Sequence, residues 1–299
     1  MARNICVILR AARTPFLVVF ILPFICGSLI EKGSFYPLRF WLGVGAVVFS
    51  GAAANLFNDY ADSKSRADWQ DTRHYQFFGG SKLIQQGVLP ERFFLAAARI
   101  NLLLSLLLVS GLAALMKDAK VLFYYAVIIF FAYTYSGPPF RFSYRRLGEA
   151  VVFLLFGPAI VMGAYFIQTG IFPSAGSFYP SLPFGFLTVA LLFANEVPDF
   201  PQDVKVSKHN WVGIIGPGKA YILYELIMCF AFAAVIFNVS AGYLNRFALF
   251  ALPCFLVSFA AASILRKDCR NKDRLAVSSF LTVFVHHLTA LILIFSFIR

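Results

Sequence analysis

Seven of the chain's 14 acidic residues lie in two short stretches. The first carries Asn55, Asn58, Asp59, Asp62, Asp68 and Asp71. The second carries Asn195, Glu196, Asp199 and Asp203. Asn55 and Asp59 are four apart, as are Asn58 and Asp62, and Asp59 and Asp62 share a face if they are helical. Asn195, Asp199 and Asp203 repeat at the same four-residue step. Carboxylates held together repel, and raised pKa values, basic partners or divalent cations offset that repulsion. Mg²⁺ suits such a set, because it takes one or two carboxylates plus water and phosphate oxygens. Two clusters facing each other could hold ions on both sides of one diphosphate. Lys64, Arg66, Arg73 and Lys82 follow the first stretch and Lys205 and Lys208 the second; with Arg141 and Arg145 they supply positive charge for phosphate oxygens. The plainer alternative is that these acids are solvated loop charges.

The elements that must position these residues are membrane helices. Hydrophobic residues make up 60% of the chain and charged ones only 13%, against about 25% charged in soluble domains. So little charge cannot cover a water-facing surface. Nine stretches are long and apolar enough to cross a bilayer core of about 30 Å: 14–30, 38–57, 91–116, 120–136, 149–168, 180–197, 219–238, 242–264 and 275–298. Both acidic stretches follow even-numbered spans, so alternation places them on one side. Of the 26 Lys and Arg, 19 fall on that side and six on the other, with Arg99 inside a span. The positive-inside bias therefore predicts a cytoplasmic N-terminus. Pro198 and Pro201 each remove a backbone donor, which predicts a helix that breaks near Asp199 and leaves Asp203 on the outgoing loop.

The net charge of +12 sits in short loops between apolar stretches, which argues against nucleic acid as a partner. The five cysteines show no metal-ligand spacing and read as free thiols. The basic N-terminus has no small-residue cleavage site after its apolar run, so it reads as a retained first span. His286 and His287 are neighbours, point to different sides of a helix, and read as packed side chains.

At the acidic stretches the sequence resembles the UbiA superfamily of intramembrane prenyltransferases. Asn58-Asp59-Tyr60-Ala61-Asp62 followed by Asp68 matches its first motif, and Asp199-Phe200-Pro201-Gln202-Asp203 its second. Tyr135 to Glu149, Phe156 to Gly170 and Gly79-Gly80-Ser81 are similar to the 1,4-dihydroxy-2-naphthoate branch of menaquinone synthesis. Three features depart from that branch: Arg66 in place of Gly, Lys205 to Trp211 in place of an Arg then Gly-Lys-Arg-Thr-Leu run, and the prolines flanking Asp199.

The resemblance implies one all-α membrane domain over 1–299, with nine helices around a central cavity. It implies transfer of a polyprenyl chain from a prenyl diphosphate to an aromatic acceptor within the bilayer, with two Mg²⁺ ions. Asp59, Asp62 and Asp68 would hold one ion, and Asp199 and Asp203 the other. Asn58, Asn195 and Asn55 would orient ligands or substrate, and Tyr135 and Arg141 would contact the diphosphate. The expected location is a bacterial or archaeal cytoplasmic membrane, with the site near the cytoplasmic face. Other acceptors (4-hydroxybenzoate, homogentisate, glycerol phosphate, tetrapyrroles) stay open within the superfamily. From other classes, a cation-coupled transporter is disfavoured because the acids cluster at helix exits rather than at the midplane. A CDP-alcohol phosphotransferase is disfavoured by the lack of any Asp-Gly pair.

Overall fold

The computed structural model describes residues 2–67, 69 and 71–298, with side chains from residue 5 onward. Asp68, expected to bind metal, lies outside the described residues. The described residues are helical throughout apart from loops, with one isolated parallel bridge between Arg145 and His209 and no strand. The helices are α1 (Ala2–Ala11), α2 (Thr14–Leu29), α3 (Pro37–Ser65), α4 (Glu91–Met116), α5 (Lys120–Ser136), α6 (Gly148–Leu154), α7 (Ile160–Thr169), α8 (Ala175–Asp203), α9 (Trp211–Ile215), α10 (Ala220–Ser240), α11 (Cys254–Lys267) and α12 (Lys272–Ile298). Seven helices among the described residues are long and apolar enough to cross a membrane. The number is eight if α1 and α2, bent by 57°, form one span. α5 is equally apolar but only 17 residues long, about 25 Å at 1.5 Å per residue.

Local chemistry explains several of the helix ends. Pro37 opens α3, where its missing donor costs nothing. α3 closes on Arg66, whose φ of 65° turns the chain left-handed and lets its N–H bond back to the last turn. α6 and α7 are one span joined by a π turn, Leu155–Ala159, which takes up Pro158. The eighth expected span is a 3₁₀ segment, Arg246–Ala251, followed by α11 after Pro253.

α8 does not break near Asp199; it runs unbroken to Asp203 with Pro198 and Pro201 inside it. Each proline costs the helix one bond, to the carbonyls of Ala194 and Val197, but Val197 and Pro198 are buried against neighbours that hold the helix in line. Asp199 and Asp203 therefore stay on one helical face.

α8 is the innermost span: 72% of its most apolar window is buried, against 22% for α4. It packs on α6, α10 and α12. The interior is built on close backbone approach, the usual device where lipid removes the hydrophobic drive for association. A methyl group at Gly157 would sit 2.9 Å from the Gly185 Cα and 2.9 Å from the Ser181 carbonyl oxygen. At Gly27 it would lie 2.2 Å from the Val161 carbonyl oxygen. Around Gly111, by contrast, nothing lies within 4 Å. All five cysteines are free, and His286 is fully buried with Nε2 3.2 Å from the Thr188 hydroxyl.

These contacts set a test of the packing. Gly157→Ala is expected to cost about 1–3 kcal/mol, the usual range for overpacking, and Gly111→Ala close to nothing. Thermal unfolding of the two variants in detergent checks this; equal midpoints would refute the close approach of α8 to the π turn.

Candidate active site

The two acidic stretches are brought together at the polar end of a cavity of about 340 Å³. Asp62 comes from the last turn of α3, and Asp199 and Asp203 from the last turns of α8. Asn55, Asn58, Asn195, Tyr135 and Lys208 also line it. The rest of the wall is apolar: Phe20 and Phe156, with ring centroids 4.4 Å apart, and residues of α4, α5 and α7 continue the cavity away from the carboxylates.

Lys208 bridges the two motifs. Its Nζ lies 3.6 Å from Asp62 and 3.7 Å from Asp203, with 18% of the side chain exposed. Burial alone would lower the Lys208 pKa, but Asp203 and then Asp62 outweigh it and hold the ammonium well above its usual value. Asn210 donates to Asp203 at 3.1 Å and caps α9 by accepting from the Gly213 N–H. Tyr144 donates to Ser65 at 2.7 Å and lies 3.3 Å from Asp62. Its phenol is pushed up to about 12, chiefly by burial and then by the Asp62 carboxylate.

A second bridge is made by backbone. The Gly79 N–H donates to Asp199 at 3.0 Å and the Ser81 N–H to Asp59 at 3.1 Å. One three-residue strap thus ties α8 to α3. Gly79 and Gly80 have φ of 73° and 74°, which L side chains rarely adopt. A methyl at Gly79 would sit 3.6 Å from both the Lys82 ammonium and the Asp199 carboxylate. Lys82 is 2% exposed and packs beneath this strap rather than in the cavity wall. Asp59 is buried, pairs with the Arg13 guanidinium, and stands behind the wall.

Other expected residues lie elsewhere. Lys64 points outward to Glu91 at 2.5 Å. Arg66 is the exposed cap of α3, and Lys205 is exposed beyond α8. Arg141 is exposed, 5.7 Å from the Tyr144 ring. None of these four lines the cavity. Arg73 pairs with Asp273, and Asp71 with Lys272 at 2.6 Å, which fastens the loop after α3 to α12. Sequence reasoning assigned no site role to Arg13, Ser136, Glu196 and Gln202, all in the wall. Arg13 was legible only as a basic N-terminal residue; its left-handed φ of 51° between α1 and α2 turns it inward.

Among the described residues no three His, Cys, Asp or Glu side chains are grouped closely enough to hold a metal ion by themselves. The donor chemistry still suits Mg²⁺. All the converging ligands are oxygens, and the buried Asn195 Oδ1 and Glu196 Oε2 have no hydrogen-bond partner. An ion that takes most of its ligands from water and phosphate needs only one or two carboxylates from each motif.

The sequence profile of the UbiA prenyltransferase family matches residues 20–295. The chain belongs to that family. It is a prenyltransferase. Among curated relatives, 2-carboxy-1,4-naphthoquinone phytyltransferase of Synechocystis is 28% identical over 232 residues, covering 76% of this chain and 72% of its own. The 1,4-dihydroxy-2-naphthoate octaprenyltransferase of Mycobacterium tuberculosis is 27% identical over 224 residues, covering 75% and 70%. The fold is that of solved UbiA homologues. One from Aeropyrum pernix superposes with a TM-score of 0.71 at 19% identity, covering 94% of this chain and 96% of that one. One from Archaeoglobus fulgidus, bound to DMAPP and Mg²⁺, gives 0.65 at 16% identity, covering 96% and 98%.

The charge state of Lys208 gives a pH test for this UbiA enzyme. A raised lysine pKa contributes stability that is fully present below the unfolded value of about 10.5 and is lost as pH rises through the folded value. The loss of thermal stability in Lys208→Met is therefore expected to be constant from pH 7 to 9 and to shrink only above about 10.5. A difference that vanished by pH 8 would show that Lys208 does not sit between two carboxylates.

Proposed function

We propose that the protein transfers a polyprenyl chain from a prenyl diphosphate to 1,4-dihydroxy-2-naphthoate, with Mg²⁺, in menaquinone synthesis. One observation carries the reading: Asp62, Asp199 and Asp203, from helices far apart in sequence, meet at the polar end of one otherwise apolar cavity. The naphthoate and naphthoquinone prenyltransferases among its relatives support the choice of acceptor. The DMAPP and Mg²⁺ in the Archaeoglobus fulgidus homologue support the choice of donor and metal.

Asp62, Asp199 and Asp203, which line the cavity, would hold the cations, two in number, with Asp68 as a further ligand; Asp59 would join them by giving up its Arg13 partner. Bound Mg²⁺ supplies charge neutralisation for the departing diphosphate. The chain's own groups do the rest. Lys208 presents its ammonium to phosphate oxygens, where negative charge grows as the allylic C–O bond breaks. Asn58, anchored on Ser136 at 2.8 Å, and Asn55, anchored on the Ala12 carbonyl at 3.1 Å, fix the wall on the α3 side. Asn195 and Tyr135 face them from α8 and α5. The apolar end takes the isoprenoid tail and keeps water from the allylic carbon. Aromatic faces such as Phe20 and Phe156 stabilise positive charge on it.

We further infer a single domain of nine spans, counting α2 and α5, with the N-terminus and the acidic motifs on the cytoplasmic side. The basic residues of the loops support that orientation. A tag on the N-terminus is expected to be protected from protease in right-side-out vesicles and cleaved in inverted ones; the reverse pattern would overturn the orientation.

The deciding experiment is incubation of the purified protein with prenyl diphosphates and aromatic acids, with Mg²⁺ or with EDTA, read by mass spectrometry. Prenylated dihydroxynaphthoate, or the prenylated naphthoquinol left once the carboxylate departs as CO2, is expected only with Mg²⁺, with diphosphate as the other product. Asp62→Asn and Asp199→Asn are expected to lower turnover at least about 100-fold, the scale set by loss of a preorganised charge at the reacting centre. Both variants keeping Mg²⁺-dependent activity would overturn the metal assignment. A product on a different acceptor would overturn the naphthoate assignment.

A further inference from the structure

A second cavity, about 390 Å³, lies beside the first. It is formed by the end of α1, the bend into α2 and the loop from His74 to Gly80. Arg13, Phe16, Phe77, Phe78 and Gly80 line both cavities, so these residues are the partition between them. The Phe16 and Phe77 rings meet edge to face with centroids 6.4 Å apart, a contact that rotamer changes can open. On the far side of the partition stand Arg10 and His74, and among the described residues no carboxylate lines this second space. Partial desolvation, and then Arg10, hold His74 below the usual histidine value; the guanidiniums of Arg10 and Arg13 are the fixed charges of this space. Two of the five N–H donors of Arg10 go to the Ser81 carbonyl at 2.8 Å and the Gln86 side chain at 3.0 Å. Those bonds fix the guanidinium while leaving donors for a ligand.

The two substrates of the proposed reaction come from different phases. A prenyl diphosphate carries a long apolar tail and reaches the site along the apolar cavity. An aromatic acid is a small water-soluble anion and needs a separate, basic approach. We propose that the second cavity is the docking and entry site of that anionic aromatic acceptor, its carboxylate on Arg10 and its ring against Phe16 and Phe77. This rests on the reading of the acceptor as an aromatic acid. Arg–carboxylate recognition and edge contacts between rings are the chemistry that selects it. The released diphosphate is also an anion, and its exit by the same route is the rival use.

The test compares wild type, Arg10→Gln and Arg10→Lys in steady-state kinetics. The acceptors are 1,4-dihydroxy-2-naphthoate and the same ring without its carboxylate. Gln keeps a donor for the Ser81 carbonyl and removes the charge; Lys restores the charge. Arg10→Gln is expected to raise KM for the acid about tenfold, the effect of losing one charge-assisted hydrogen bond. The kcat and the KM for prenyl diphosphate should stay within about twofold, the neutral ring should be indifferent, and Lys should recover most of the loss. An equal change for both acceptors, or none for either, overturns the inference and leaves the acceptor reading standing. A change confined to product inhibition by pyrophosphate makes the cavity an exit and also overturns it. If wild type prenylates no aromatic acid, the acceptor reading falls and this inference falls with it.

Discussion

Several carboxylates have to be held together where water is scarce, and the rest of the structure depends on how that is done. Asp59, Asp62 and Asp203 are each less than 10% exposed, and Asp199 belongs to the same polar end. Their mutual repulsion grows as the local dielectric falls. Arg13 answers Asp59, Lys208 answers Asp62 and Asp203, and the amides of Gly79 and Ser81 answer Asp199 and Asp59. Each answer comes from a different part of the chain: the α1–α2 bend, the loop after α8 and the loop after α3. The helices that carry these segments are thereby fixed relative to one another at the site.

The long spans serve that requirement. α8 can bring Asp199 and Asp203 to the cavity on one face only because it stays helical through two prolines. It stays helical because it is the innermost span, pressed by α6, α10 and α12. The glycines at the α8 contact remove the side chains that would push those backbones apart. Packing and chemistry are coupled here: the same burial that straightens the helix also makes its carboxylates costly without partners.

The charge on this chain does two jobs that sequence alone does not separate. Lys64 and Arg66 lie beside the first acidic motif in sequence and Lys205 beside the second, yet these three and Arg141 face outward. Arg13 and Lys208 face inward. A basic residue in a short loop reads the same in either case. The choice is made by backbone turns such as the left-handed Arg13 and by which partner each charge can reach.

What the sequence determined by itself was the composition-driven part. An apolar chain with so few charges has to place its helices in lipid, and the paired acidic motifs at four-residue spacing mark the chemical end of the bundle. Helical periodicity was enough to put Asp59 and Asp62 on neighbouring turns, because that geometry is local. The tertiary structure alone decided the course of α8 beyond Asp199, the inward turn of Arg13, the placing of Lys208 between two motifs, and the glycine strap that joins them. All four depend on contacts between segments tens to more than a hundred residues apart. No local spacing rule reports such contacts, because the partner that satisfies a buried charge is chosen by the packed bundle and not by its neighbours in the chain.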